Sequence, residues 1–101
     1  MPLLKLARLS DVPPDTIFEA MVGEQPYAVC NLAGELHVLN GICPHRAGPL
    51  GQGQLHNGYV TCPYHMWEFD CRTGECAHDP ARRVAMYPVR VVGDEIWIEV
   101  P

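Results

Sequence analysis

The sequence contains no long hydrophobic run. Among its 101 residues, the apolar stretches near the amino terminus are short and are interrupted by Lys5 and Arg8. Nowhere does a run approach the roughly 20 apolar residues that a membrane-spanning helix needs. The amino terminus also lacks the continuous apolar segment of a secretory signal peptide. We therefore expect a cytoplasmic protein that does not associate with a membrane.

Basic residues are also scarce. Seven Lys and Arg stand against twelve Asp and Glu, which gives a formal net charge of −5. Nucleic-acid binding depends on positive charge that neutralises phosphates, so we expect no nucleic-acid partner. The charge is unevenly distributed, because residues 43–83 hold four basic and four acidic residues and the rest of the chain carries the whole excess.

Helical patterns are missing too. No segment keeps a helical period for three turns, and ten prolines and nine glycines interrupt the sequence. Apolar and β-branched stretches instead predict antiparallel strands, with a hairpin closing the chain. The expected fold class is all-β, a sandwich or small barrel in one domain, 1–101. The predicted strands span residues 3–9, 16–22, 26–32, 36–41, 82–92 and 95–100.

Two short segments combine cysteine with histidine. The first contains Cys43-x-His45 and the second, sixteen residues later, contains Cys62-x-x-His65. Thiolates and neutral imidazoles bind zinc and iron, and four such groups complete a coordination set. Zinc fingers usually pair two cysteines in one loop and two histidines in another, so the mixed order favours an iron-sulfur cluster. A zinc-stabilised interaction module without a redox role is the alternative.

This pattern resembles the signature of Rieske [2Fe-2S] proteins, and the similarity continues through "HMWEFDCRTGEC" and over nearly the whole chain. The resemblance implies a Rieske-type antiparallel β-sandwich with a small, loop-rich cluster-binding subdomain inserted at about residues 42–80. It also implies one [2Fe-2S] cluster per chain, with Cys43 and Cys62 on one iron and His45 and His65 on the other.

Five residues are expected around the cluster on the same resemblance: Arg46, Gly48, Tyr64, Trp67 and Pro80. Pro80 matches the proline loop that covers the cluster in the family, and Gly48 is expected to shape the first loop. Tyr64 and Gly48 stand near the place where some members have an additional cysteine pair, which is absent here. Trp67 is expected to pack beside the cluster and to exclude water.

A low reduction potential is predicted from two positions. Respiratory Rieske proteins place a serine and a tyrosine hydroxyl after the second ligand pair, where this sequence has Trp67 and Phe69. Hydrogen bonds to the cluster sulfurs stabilise the reduced form, so their absence lowers the potential. We expect a value of roughly −150 mV, near the lower end of the Rieske range.

The resemblance implies an electron carrier that is not an enzyme by itself. A flavin-containing reductase would supply the electron and a terminal oxygenase would receive it, with docking at the exposed edges of His45 and His65. The alternative is a Rieske-like small subunit of an NAD(P)H-dependent nitrite reductase.

The remaining cysteines and histidines have simpler interpretations. Cys71 and Cys76 would face one another if Thr73-Gly74 formed a tight turn, although reduced thiols are favoured over a disulfide in the cytoplasm. Cys30 lies in an apolar strand pattern and is expected in the core. Three histidines are expected to face solvent: His37, His56 and His78.

Overall fold

Ten strands make up most of the regular structure in the described part of the chain. The computed structural model describes residues 2–44, 48–64, 66–79 and 81–101. Within these ranges the helices are two three-residue 3-10 turns, Leu9–Asp11 and Leu50–Gln52, so the all-β prediction is confirmed. The strands are β1 (Leu3–Arg8), β2 (Thr16–Val22), β3 (Gln25–Leu32), β4 (Glu35–Asn40), β5 (Gln54–His56), β6 (Tyr59–Thr61), β7 (Glu68–Asp70), β8 (Met86–Tyr87), β9 (Val89–Val92) and β10 (Glu95–Glu99).

The strands form three antiparallel sheets. The first has the order β1-β10-β9, the second β2-β3-β4-β8 and the third β5-β6-β7. Strand β3 is central to the second sheet and is buried from Tyr27 to Asn31 on both faces, as expected for a strand with a layer on either side. The second sheet therefore lies between the other two.

The core between the first and second sheets holds the framework together. Ile96 and Ile98 of β10 are fully buried and pack with Val29 and Val38 of the second sheet. The next residues along the strand, Trp97 and Glu99, are only partly buried, so the predicted alternation in β10 is confirmed. This arrangement is a β-sandwich.

Ile98→Ala is expected to destabilise this core. Removing a fully buried isoleucine side chain leaves a cavity and typically costs about 2–5 kcal/mol of unfolding free energy, whereas Ile98→Val typically costs about 0.5–1.5 kcal/mol. Urea denaturation measures both. Equal, small losses in the two variants would show that this side chain does not pack as described.

The core on the other face of the second sheet contains all five cysteines. Leu39 and Cys30 of that sheet pack against Val60 and Phe69 of the third sheet. Cys43 and Cys62 lie in the same cluster of buried side chains. The cysteine-rich segment is therefore attached to the framework through an apolar layer.

Two sequence predictions about the strands were incomplete. The predicted loop-rich region 42–80 contains the whole third sheet, whose strands are three residues each and too short to show a period. The predicted strand 82–92 is broken, since Met86–Tyr87 pairs with β4 and Val89–Val92 pairs with β10. Pro88 separates the two because proline has no N–H group with which to continue a ladder. No helix in the described ranges is long and apolar enough to cross a membrane.

Candidate metal centre

Two loops carry the Cys-His pairs, and the backbone closes them in the same way. The Cys43 N–H donates to the Gly48 carbonyl at 2.9 Å, and the Cys62 N–H donates to the Trp67 carbonyl at 2.7 Å. In each loop the backbone N–H of the cysteine therefore donates a hydrogen bond to the carbonyl of the residue five positions later. The repeated Cys-His pattern of the sequence corresponds to two loops of equal span.

The two loops bring Cys43 and Cys62 together. Both side chains are buried, with 1% and 0% exposed, and the two thiols interact directly. Gly48 is packed against this pair, because a Cβ atom at Gly48 would lie 2.7 Å from Cys62 Sγ and 3.0 Å from Tyr64 Cγ. Glycine is thus required where the end of the first loop meets the thiol of the second.

Burial is the main influence on the Cys62 thiol. It raises the pKa of Cys62, and the neighbouring Cys43 raises it further. The backbone N–H of Tyr64, 3.4 Å from Cys62 Sγ, acts in the opposite direction because it donates a hydrogen bond to the sulfur. Two adjacent buried thiolates require a compensating positive charge, which a metal centre supplies.

Four of the predicted site residues fall outside the described residues: His45, Arg46, His65 and Pro80. The structure therefore describes the thiol half of the expected ligand set. Within the described ranges no group of three or more His, Cys, Asp or Glu side chains is placed to hold a metal ion. The two buried cysteines nevertheless suit an iron-sulfur centre, since thiolates are its usual ligands.

The second loop presents apolar side chains to solvent. Tyr64 and Met66 are 51% and 65% exposed. Met66 has a φ of 59°, a left-handed conformation that costs free energy in residues other than glycine and tends to occur at functional sites. Trp67 is partly buried and packs against the cysteine-containing core.

Sequence reasoning missed the contacts that surround Trp67. The Arg82 guanidinium lies 5.4 Å from the centre of the Trp67 ring, in a cation-π arrangement. His78 pairs with Glu68 at 3.8 Å, and Arg82 pairs with Asp79 at 3.4 Å. No local pattern indicates these contacts, because most of them join residues ten or more positions apart.

The other three cysteines are free thiols, and they are all buried. Cys76 lies opposite Phe69, so the expectation that Cys71 and Cys76 would face one another was wrong. The reason is the turn, in which Asp70 rather than Cys71 bonds to Glu75. Cys71 instead contacts Cys30, and this hydrogen bond together with burial raises the pKa of Cys30. The core position predicted for Cys30 is confirmed.

The three remaining histidines differ in exposure. His56 and His78 are exposed as predicted. His37 is only partly exposed, with 21% of its side chain accessible, and it pairs with Glu35. His37 is less exposed than predicted, because it lies opposite Cys30 within the second sheet.

A family model described as the Rieske [2Fe-2S] domain matches residues 3–88. The anthranilate 1,2-dioxygenase ferredoxin subunit of Burkholderia cepacia is 30% identical over 99 residues, covering 94% of this chain and 89% of that protein. The 4beta-methylsterol monooxygenase of Methylococcus capsulatus is 41% identical over 76 residues, covering 65% of this chain. This chain spans only 21% of the length of that monooxygenase.

Solved structures show the same fold. A chain from the complex of reduced oxygenase and oxidised ferredoxin in carbazole 1,9a-dioxygenase superimposes with a TM-score of 0.83 and 28% identity, covering 95% of this chain and 91% of that chain. A putative NADH-dependent nitrite reductase small subunit from Mycobacterium tuberculosis gives a TM-score of 0.85 over 99% of this chain and 96% of that chain. Its 19% identity shows a shared fold only.

Proposed function

Because the chain belongs to the family of Rieske [2Fe-2S] domains, we propose that it carries single electrons from a flavin-containing reductase to a terminal oxygenase. A domain of this family holds one cluster, which accepts and releases one electron. The carrier role is supported by similarity, because the anthranilate 1,2-dioxygenase ferredoxin subunit is 30% identical over 94% of this chain. We place the carrier in the cytoplasm and treat residues 1–101 as one domain.

The contact between the two buried thiols is the observation that carries this proposal. Cys43 and Cys62 would bind one iron, and His45 and His65 would bind the other. The closed loops place the two thiols side by side, and the surrounding core keeps water from the sulfurs. The neutral histidines would leave the second iron with less negative charge, which favours acceptance of an electron.

The function can be tested by substitution into a known system. We would add this protein to the reductase and oxygenase components of the Burkholderia cepacia anthranilate 1,2-dioxygenase in place of their own ferredoxin subunit. The expected result is product formation that depends on this protein and disappears with the Cys62→Ser variant. The proposal would be contradicted if the oxygenase failed to oxidise the reduced protein at concentrations where the native ferredoxin works.

The nitrite reductase subunit is the second candidate, since such a subunit shares the fold over nearly the whole chain. A permanent subunit would be recovered in a stable complex with a large reductase chain. A carrier would be recovered as a free chain, because one-electron transfer uses small and short-lived interfaces. Size-exclusion chromatography of gently prepared extracts from the source cells distinguishes the two.

Gly48→Ala is expected to impair cluster assembly. The new methyl group would lie 2.7 Å from Cys62 Sγ, so the thiol or the loop must move from the position that suits the metal. We expect the iron content per chain to fall to less than about half, because ligand geometry tolerates only small displacements. Iron analysis and visible absorption measure the effect.

Gly51→Ala is the matched control for this prediction. A Cβ atom at Gly51 would lie 2.6 Å from the Glu19 Cβ atom, a similar clash that does not involve the thiols. This variant should lose stability but keep its iron. Equal iron contents in the two variants would show that Gly48 has no particular relation to the cluster.

The reduction potential is expected near roughly −150 mV. Trp67 and Phe69 occupy the positions at which a hydroxyl would otherwise stabilise the reduced cluster, and neither side chain has one. Among the described residues, the backbone N–H of Tyr64 donates a hydrogen bond to Cys62 Sγ at 3.4 Å. Protein-film voltammetry measures the midpoint, and a value above zero would contradict this prediction.

A further inference from the structure

An open groove of about 510 Å³ lies beside the second Cys-His loop. It is lined by Met66, Trp67, His78, Asp79 and Arg82, and we name it the Trp67–Arg82 groove. The Arg82 guanidinium lies over the Trp67 ring at one wall. Backbone hydrogen bonds hold the Arg82 segment in place, since Cys76 N–H donates to the Arg82 carbonyl at 3.0 Å and Arg82 N–H donates to the Asp79 carbonyl at 2.9 Å.

The groove is directly connected to the proposed cluster ligands. The carbonyl of Trp67 accepts the hydrogen bond from Cys62 N–H, so one wall of the groove belongs to the loop that holds this thiol. Met66 lines both this groove and a smaller opening beside Cys62. A molecule bound in the groove would therefore lie against the loop that holds Cys62.

Basic groups face outward around the groove. Among the described residues, Arg82 pairs with Asp79 and the next residue, Arg83, pairs with Glu75, while His78 lies 3.8 Å from Glu68 and forms an ion pair with it only when protonated. In each pair the basic side chain is the more exposed member, with 50% against 45%, 60% against 47% and 54% against 34% accessible. Such exposed pairs are weak, so an external carboxylate can replace the internal one at little cost.

The rest of the chain carries an excess of acidic residues. Outside residues 43–83 there are three basic and eight acidic residues, so this part carries the whole formal charge of −5. A basic partner would be drawn to that acidic part and away from the cluster. An acidic partner would be turned toward the neutral end, where Arg82 and Arg83 are exposed.

We propose that the Trp67–Arg82 groove receives a carboxylate of the protein partner, set beside an apolar patch that contacts Tyr64 and Met66. The proposal rests on the electron-carrier function above and specifies the surface chemistry of the terminal oxygenase that would dock. Arg82 binds the carboxylate and is oriented by the Trp67 ring, while Tyr64 and Met66 supply apolar contact area. Aromatic, methionine and arginine side chains are enriched at such interfaces.

Small redox reagents of opposite charge test the charge of the groove. The reduced protein gives one electron to the hexacyanoferrate(III) anion, which becomes hexacyanoferrate(II), or to the tris(phenanthroline)cobalt(III) cation, which becomes cobalt(II). Stopped-flow absorption follows each reaction at low ionic strength. Arg82→Gln should slow oxidation by the anion about two- to five-fold, the range expected for one exposed charge interaction, and should not slow oxidation by the cation.

Arg90→Gln is the matched control. Arg90 is similarly exposed at 61% and is also paired with a carboxylate, that of Glu99, but it lies in the first sheet. This variant removes the same charge from the protein and should change the anion rate less than Arg82→Gln does. Equal effects of the two variants would overturn the proposal, because the rate would then follow net charge alone.

Two further measurements distinguish failure of the docking proposal from failure of the proposed electron-carrier function. Midpoint potentials should be the same in both variants and in the unaltered protein, and a shift with Arg82→Gln would instead assign Arg82 to the cluster environment and overturn the docking role. In the anthranilate 1,2-dioxygenase system, Arg82→Gln should raise the carrier concentration that gives half-maximal turnover and leave the maximal rate unchanged. A protein without bound iron would contradict the proposed function itself.

Discussion

Replacing Cys62 by serine is expected to reduce bound iron from two atoms per chain to nearly none. The Cys62 thiol is fully buried, interacts with Cys43 and receives a hydrogen bond from Tyr64 N–H. A serine hydroxyl is a harder and far less acidic ligand than a thiol, so it does not replace thiolate in an iron-sulfur centre. The purified variant should be colourless, and iron analysis together with visible absorption measures the loss.

Cys76→Ser is the control for this variant. Cys76 is also buried, with 2% exposed, and lies in the same apolar cluster, but it is not one of the proposed ligands. Both substitutions place a hydroxyl in the core, so both should cost stability, and circular dichroism should show retained strands. Full iron content in Cys62→Ser would refute the ligand assignment, as would equal iron loss in the two folded variants.

Replacing His65 by cysteine is expected to lower the reduction potential strongly. A thiolate in place of a neutral imidazole adds one negative charge to the cluster, and clusters with four cysteine ligands lie near −400 mV. We expect a decrease of roughly 100 mV or more, since the substitution replaces one of the two histidines that distinguish a Rieske cluster from a cluster with four cysteine ligands. His65 lies outside the described residues, so this prediction depends on its position in the sequence and on the family.

Voltammetry of His65→Cys should be paired with His56→Cys. His56 is exposed at the end of β5, so its substitution adds the same thiol without changing the proposed ligand set. The control should keep the potential of the unaltered protein. An unchanged potential in His65→Cys, with the cluster intact, would show that His65 is not a ligand.

The strands with a clear period were predictable from sequence, whereas the short ones were not. Strand β2 has the predicted bounds, and β10 alternates between buried isoleucines and partly exposed residues as its pattern indicates. The third sheet could not be predicted, because three residues are too few to distinguish a strand from a loop among glycines and prolines. The break at Pro88 was visible in the sequence, since proline commonly interrupts a ladder.

The spacing of the candidate ligands is visible in the sequence, but the contacts around Cys43 and Cys62 are not. The Cys-His pairs are local patterns with a known chemistry. The approach of Gly48 to Cys62 and the placement of Arg82 over Trp67 depend on how separate loops pack. Such tertiary contacts leave no periodic signal, although they decide which side chains surround the site.

The most direct measurement of the central claim is an electron paramagnetic resonance spectrum after anaerobic reduction with dithionite. A cluster bound by two cysteines and two histidines should give a rhombic signal with an average g value below that of clusters bound by four cysteines. The signal should be absent from Cys62→Ser. A colourless protein that contains zinc and gives no signal would contradict the account, because the four candidate ligands would then hold a metal without redox activity.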